Sequence, residues 1–446
     1  MKKKYFGTDG IRGQVNQYPI TSSFFLDFSL RVSKFIKKSN CRVIIGKDTR
    51  NSCDMIENSL VSGFCSTGVN VSLIGISTTP ILSYMTKVLK GDLGIMISAS
   101  HNPYYDNGIK IFNNKGEKLS DDEELKIEEI IKKKYLVDFC LPNKIGKTSI
   151  VNNFSEYKNN IFKIIPSGVN FKNIKMVVDC ANGSAFRIAP EIFTEFGIDL
   201  ILDSTKPNGI NINSKCGALF SKNLSKKVVL NNADIGIAFD GDADRLIVSD
   251  EKGEIINGDK ILAIVSTYLQ KQEKLRSKYI VSTHMANLGL SKYLESNGLK
   301  LFKTPVGDKY VSEGMRKKNS NLGGEQSGHI IFSDLSPSGD GIMTAFLILS
   351  IMKLSNRKLS QILQNFNIFP QKLVNLKLST LSKKNLRKKK FLDLINNYTK
   401  KLGKNGSVLV RKSGTEDVLR IMAQSENLKL TKKITDDLTN FLLCNK

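Results

Sequence analysis

The stretch Asp240-Gly241-Asp242-Ala243-Asp244-Arg245 sets three carboxylates at alternate positions directly after an apolar run, Ile235 to Phe239. Like charges about 4 Å apart repel by roughly 1 to 4 kcal/mol unless a cation neutralises them, and hard oxygen ligands in a tight loop suit Mg2+ or Ca2+. An EF-hand is the sharper rival, since Glu251 falls twelfth when Asp240 is first. The sixth position, however, is Arg245 where that loop needs glycine, and Leu246-Ile247-Val248 reads as strand. A solvated acidic turn is the plain alternative. A second stretch, Ser98-Ala99-Ser100-His101-Asn102-Pro103, follows the apolar run Leu93 to Ile97. A serine on a strand-end loop serves as a nucleophile where cations stabilise the charge it develops; Ser, His and Asn in a row serve equally well to cap an ordinary loop. The G-x-S-x-G elbow is absent, and no acidic neighbour is placed to orient His101 as in a hydrolase triad. Asp106-Asn107-Gly108 then reads as a turn into a strand, Ile109 to Phe112.

Three more loops offer anion or sugar chemistry. Gly7-Thr8-Asp9-Gly10-Ile11-Arg12-Gly13 combines glycines that free backbone amides with a guanidinium suited to bidentate phosphate contact. Arg411-Lys412-Ser413-Gly414-Thr415 joins two cations, two hydroxyls and a glycine without being a Walker A motif. Gly323-Gly324-Glu325-Gln326-Ser327-Gly328-His329 carries a carboxylate, an amide, a hydroxyl and an imidazole, a set fit for sugar hydroxyls and proton transfer. Taken alone, each is as readily a plain hydrogen-bonded turn.

The elements that must hold these loops follow a repeated plan. Val43 to Ile45, Val69 to Ile76 and Leu93 to Ser98 read as strands around a helix from Cys53 to Ser66, and Ser120 N-caps a helix from Asp121 to Lys134. Lys175 to Asp179, Ala189 to Phe196, Ile198 to Leu202 and Ile235 to Phe239 repeat the theme as strand, helix, strand, strand. Lys278 to Thr283, Leu288 to Ser296, Leu299 to Thr304 and Ile330 to Phe332 repeat it again. After about residue 365 come strand Lys372 to Leu378, a basic helix, strands Ser407 to Val410 and Val418 to Met422, and a closing helix. The expected fold is thus α/β: three similar α/β units with mixed sheets, spanning 1–150, 151–255 and 256–365, plus a smaller C-terminal α+β domain at 366–446. Ligands bind beyond the carboxyl ends of strands in open α/β sheets, so the loops are expected to face one central cleft.

Composition limits the function classes. With 40% hydrophobic residues and only 10 prolines, a large folded core is expected. The 67 Lys and Arg against 42 Asp and Glu leave a formal charge of +25, which favours anionic substrates. Nucleic-acid binding is not expected, because zinc-finger spacing, an aromatic RNP-type strand and tryptophan are all absent. The longest apolar segment, Ile342 to Met352, is about half a bilayer span and reads as a buried helix, so no membrane partner is expected. Seven scattered cysteines without a C-x-x-C pair, and a start lacking the apolar stretch of a signal peptide, point to a cytoplasmic location.

Together the loops resemble the α-D-phosphohexomutase family, whose motifs recur in order along the whole chain: FGTDGIRG at Phe6, ISASHNPYYDNGIKIF at Ile97, FDGDADRLI at Phe239, GGEQSGHII at Gly323 and RKSGTEDVLRIM at Arg411. The resemblance implies four domains around a central cleft, with Ser100 carried as phosphoserine and Mg2+ held by Asp240, Asp242, Asp244 and an oxygen of that phosphoserine. It implies Arg12 and Arg245 as charge neutralisers, and Lys110 as general base with a pKa lowered by neighbouring cations. His101 and His329 would support proton transfer. Glu325 and Ser327 would grip sugar hydroxyls, while Arg411, Ser413, Gly414 and Thr415 would hold the phosphate that is not reacting. GEQSGH, in place of the GEMSGH usual in the mannose and glucose branches, points through Gln326 to an amino sugar. The implied reaction converts glucosamine 6-phosphate to the 1-phosphate through a sugar 1,6-bisphosphate, feeding UDP-N-acetylglucosamine and cell-envelope synthesis. The alternatives are the same chemistry on a neutral sugar, or a catalytically silent phosphosugar-binding protein. Lys412 and Asp417 replace the two prolines of the family's usual RPSGTEP, which lowers the expected rigidity of that loop.

Overall fold

The computed structural model of the chain describes residues 3–36, 40–133, 137–377, 384–412 and 418–443. Four sheets follow one another along the chain. The first has six strands in the order Ile11–Gln14, Asp106–Asn113, Leu93–Ile97, Arg42–Lys47, Asn70–Ile76 and Thr148–Ile150. Its two pairings through Asp106–Asn113 are antiparallel and the rest parallel. Leu93–Ile97 is apolar without alternation because all five residues are buried, as a central strand covered on both faces requires. The helix Cys53–Ser66 lies where its apolar spacing predicts, and Ser120 caps Asp121–Lys132 with a complete capping box to Glu123.

The second sheet runs Ile255–Ile256, Leu246–Asp250, Ile235–Phe239, Lys175–Asp179, Asp199–Asp203, and the third runs Lys300–Thr304, Tyr279–Thr283, Leu322–Gly324, Ile330–Phe332. Both mix parallel and antiparallel pairs. The fourth is a three-stranded antiparallel sheet, Gln371–Lys377, Val418–Ser425, Gly406–Lys412, backed by helices Lys389–Leu402 and Leu428–Leu443. The helix Gly341–Ser355 is buried from Gly341 through Met352 and belongs to a core cluster that includes side chains of the first, second and third sheets. No described helix is long and apolar enough to cross a membrane.

One local expectation fails. Asp106-Asn107-Gly108 is not a turn but the opening of the strand Asp106–Asn113. The chain reverses earlier, where Asp106 N–H donates to the Pro103 carbonyl at 3.1 Å. Asn107 instead spends its amide on Ser52 Oγ at 2.7 Å. Gly108 faces Arg12 across the antiparallel pair, where a Cβ would overlap the Ile11 carbonyl oxygen, so the glycine serves a close strand approach.

Candidate active site

Ser100 leaves the end of Leu93–Ile97 in the left-handed region, with φ 52°. A non-glycine residue there costs on the order of 1 kcal/mol or more and persists only where its surroundings over-determine it. Its N–H donates to Ser98 Oγ at 2.8 Å, and its carbonyl accepts from Arg50 Nη2 at 2.9 Å and Asn213 Nδ2 at 2.8 Å. The Arg50 guanidinium also donates to the carbonyls of Asn102, at 2.9 Å, Asp106, at 3.0 Å, and Pro103. It is itself fixed by Asp48 Oδ2 at 2.9 Å, an oxygen that also accepts from Ser98 Oγ at 2.7 Å. One fully buried ion pair therefore shapes the serine loop. Asp48, Arg50 and Asn213 were not singled out from the sequence; the signal available was Asp48-Thr49-Arg50 at the carboxyl end of Arg42–Lys47, the same strand-end position as the other chemical loops.

The aspartate loop meets the serine loop directly. Ser100 Oγ donates to Asp240 Oδ2 at 2.6 Å and lies 3.4 Å from His101 Nδ1. Gly241 runs against the Ser100 backbone, and a Cβ there would sit 2.6 Å from the Ser100 carbonyl oxygen. One oxygen from each of Asp240, Asp242 and Asp244 falls within 4.8 Å of the others. Asp242 Oδ1 and Asp244 Oδ1 are buried without a hydrogen-bond partner among the described residues. An all-carboxylate donor set with orphaned oxygens fits a hard divalent cation. Burial and the charges of Asp244 and Asp242 push the Asp240 pKa up to about 7, against the opposing pull of Arg245 and Lys110.

Lys110 departs from its expected pKa shift. Its Nζ lies 2.6 Å from Asp242 Oδ2, 2.7 Å from Asp244 Oδ2 and 3.5 Å from Asp9 Oδ2. Burial alone would lower its pKa, but the three carboxylates outweigh both burial and the Arg12 cation, so the pKa is raised rather than lowered. As placed, Lys110 is a charged partner of the aspartates.

The loop Gly7 to Gly13 leads into the first strand. Gly7 N–H is spent on the Gly10 carbonyl at 2.9 Å, and Gly13 lies in the strand Ile11–Gln14. Arg12 pairs with Asp9, and its Nη1 donates to the Ala99 carbonyl at 3.3 Å. Burial, with Arg245 and Arg12 beside it, drives the His101 pKa down to about 3, so this imidazole is neutral at physiological pH.

From the third sheet, His329 Nδ1 lies 3.6 Å from Asp244 Oδ1 and Nε2 3.5 Å from Asp308 Oδ2. Burial resists charging the ring, but these two carboxylates prevail and raise its pKa. Glu325 Oε1 accepts from Gly307 N–H at 3.1 Å, and burial together with Asp308 raises its pKa. Ser327 is exposed to the cleft. Gln326 donates from Nε2 to Asp259 Oδ2 and to Gln371 Oε1, each at 2.9 Å. Arg411 stands opposite Arg420 in the fourth sheet, and Arg420 is a cation that the sequence did not single out. Ser413, Gly414, Thr415 and Asp417 lie outside the described residues.

A cavity of about 320 Å3 joins these parts, within the size range of small-molecule sites. Its wall takes Arg12 and His101 from the first unit, Asp244 and Arg245 from the second, Glu325, Gln326, Ser327 and His329 from the third, and Arg411 and Arg420 from the fourth. Four units thus contribute to one cleft, and guanidinium groups line it beside the aspartate cluster.

Comparison with known proteins agrees with this architecture. Residues 3–138, 154–253 and 257–369 match the phosphoglucomutase/phosphomannomutase alpha/beta/alpha domains I, II and III, and residues 373–441 match the C-terminal domain of the same family. The chain is 41% identical over 445 residues to a phosphoglucosamine mutase of Agrobacterium fabrum, covering 99% of this chain and 98% of that protein. It is 42% identical over 448 residues to that of Bartonella bacilliformis, covering 99% of each. Among solved structures, a phosphoglucomutase/phosphomannomutase family protein of Burkholderia thailandensis superposes with a TM-score of 0.82 at 22% identity, over 98% of this chain and 96% of that one. An N-acetylphosphoglucosamine mutase of Aspergillus fumigatus, in complex with GlcNAc-6P and magnesium, superposes with a TM-score of 0.68 at 17% identity, over 99% and 96% of the two chains. The chain therefore belongs to the α-D-phosphohexomutase family, among the phosphoglucosamine mutases.

Proposed function

We propose that the chain interconverts glucosamine 6-phosphate and glucosamine 1-phosphate by carrying a phosphoryl group on Ser100. The observation that carries this is Ser100 Oγ at 2.6 Å from Asp240 Oδ2, in a strained loop locked by Arg50, next to a cavity that presents Arg12, Arg245 and Arg411. Phosphoryl transfer needs positioning and charge neutralisation more than covalent work by the protein, and this arrangement supplies both.

In the first half-reaction the bond between Ser100 Oγ and phosphorus breaks as the free hydroxyl of the sugar monophosphate bonds to phosphorus. The hydroxyl proton passes to a nitrogen base, and Ser100 Oγ regains a proton. The 1,6-bisphosphate turns end for end, and Ser100 Oγ then takes the other phosphoryl group by the reverse of these steps. Lys110 is assigned the base, a role it takes up only when its pairing with Asp242 and Asp244 is relaxed; His101 and His329 assist. Mg2+ held by Asp240, Asp242, Asp244 and a phosphoserine oxygen would neutralise charge on the transferring group. Arg411, with Ser413, Gly414 and Thr415, holds the idle phosphate, while Glu325 and Ser327 take sugar hydroxyls in either orientation. The product feeds UDP-N-acetylglucosamine and cell-envelope synthesis in the cytoplasm.

The test is a coupled assay with Mg2+ and a trace of sugar bisphosphate, comparing glucosamine, glucose and mannose 6-phosphates for wild type and Ser100→Ala. Turnover favouring the amino sugar, and reduced by about 1,000-fold or more in the variant, is expected. Unchanged activity in Ser100→Ala would remove the phosphoserine mechanism; preference for a neutral sugar would keep the mechanism and change the substrate.

A further inference from the structure

Gln326 sits between two cavities, the cleft already described and a second of about 410 Å3 behind it, lined in part by Asp259, Asn287, Phe366 and Gln371. Both hydrogens of its side-chain amide are committed on that inner side, to Asp259 Oδ2 and Gln371 Oε1. The orientation follows from chemistry at the two ends of the relay. Asp259 lies in the first turn of the helix Gly258–Lys271; burial raises its pKa to about 6, so at neutral pH it is a carboxylate and can only accept. At the other end Gln371 Nε2 donates to the Met285 carbonyl at 2.9 Å, another group that only accepts, so Gln371 must turn its own oxygen to Gln326. Two acceptors therefore face Gln326, and its nitrogen has to meet them. Asp259 cannot swing aside, because the same Oδ2 accepts the Asn287 N–H at 2.8 Å and the side chain is buried.

We infer that Asp259 and Gln371 are positioning residues for sugar selectivity, holding Gln326 so that its Oε1 carbonyl is the group offered to the 2-amino substituent of the substrate. This inference rests on the amino-sugar reading above. An amine donates in either protonation state, and as an ammonium it forms a charge-assisted bond about twice as strong as a neutral one. An inverted amide would offer its NH2 group, which repels an ammonium but still pairs with a hydroxyl oxygen. Selectivity thus depends on which end of one amide faces the sugar, and residues that never touch the sugar decide it.

The test is the ratio of kcat/KM for glucosamine 6-phosphate to that for glucose 6-phosphate, measured on the full chain. Asp259→Ala removes the acceptor that holds the Gln326 nitrogen, and Gln371→Lys, at a half-buried strand terminus, offers a donor from the other arm. Each is expected to lower the ratio by about 10- to 100-fold, mainly through KM for the amino sugar, with turnover of the neutral sugar retained as the sign of an intact fold. Should Asp259→Ala fail to fold, Gln371→Lys carries the comparison. A wild-type ratio kept in every variant that folds would overturn the inference. A wild type with no preference for the amino sugar would overturn the substrate reading, and the inference with it.

Discussion

Asp340 ties two units together through one buried side chain. Its carboxylate accepts from the Tyr157 hydroxyl at 2.9 and 3.0 Å and caps the helix Gly341–Ser355 by accepting Met343 N–H at 3.0 Å. Burial pushes its pKa up to about 6, against about 3.9 for an unfolded aspartate. Between those values the folded chain holds a proton that the unfolded chain releases, so this group's contribution is full at low pH and is lost as pH rises through the window. Asp340→Asn should flatten that slope, a difference of up to about 3 kcal/mol. Melting temperatures at pH 4.5 and 6.5 check this: wild type should lose stability across the interval relative to the variant, and parallel profiles would count against it. The three aspartates were legible because they stand at alternate positions in one loop, and Ser100 because its loop follows an apolar strand. Asn213 was not, because it reaches Ser100 across 113 residues of chain. The Lys110 expectation had the wrong sign for the same reason: sequence shows that charges of both signs are near, but only distance says that Asp242 and Asp244 outweigh Arg12.

Among elements, the helix Asp121–Lys132 does more than pack. Its Glu128 accepts the backbone N–H groups of Lys4, Tyr5 and Phe6 at 2.7, 2.6 and 3.0 Å, pinning the segment that leads into Asp9 and Arg12. Glu128→Ala leaves three donors unsatisfied at a buried or partly buried site, with an expected cost of about 2 to 3 kcal/mol. Hydrogen exchange should quicken at Tyr5 and Phe6, and KM should rise as the Arg12 loop loosens. Unchanged exchange there would mean that water or another group takes over the capping. Most elements were readable from periodicity, including Cys53–Ser66, Lys175–Asp179, Ile235–Phe239 and Leu288–Ser296. The helix Ser22–Ile36 obeys the same rule, with Phe24, Phe25, Phe28, Val32 and Ile36 on its buried face, yet was not singled out. Ile11–Gln14 is a different case: four residues at the end of a glycine-rich motif become strand only because Asp106–Asn113 offers them an edge.

At the scale of the molecule, ion pairs close the cleft side of the first unit onto the third. Lys118 pairs with both Asp9 and Asp308, and Lys309 Nζ reaches Glu124 Oε2 at 2.8 Å as well as Asp121. Together with the +25 charge they make substrate capture sensitive to ionic strength, since exposed fields fade beyond a Debye length of about 8 Å at 0.15 M salt. Raising salt to 0.5 M should lower kcat/KM by roughly 3- to 10-fold while kcat holds; a matching fall in kcat would place the effect on unit closure instead. The sequence by itself determined the order of units, the strand-end loops and the chemical groups each loop carries, because these depend on neighbours along the chain and on periodic burial. Only the tertiary structure decided that Arg50 holds the serine loop, that Lys110 is paired rather than free, and that the Gln326 amide nitrogen meets Asp259 and Gln371. Hydrogen bonds and fields depend on separation and direction in space, and for residues a hundred positions apart the chain alone specifies neither.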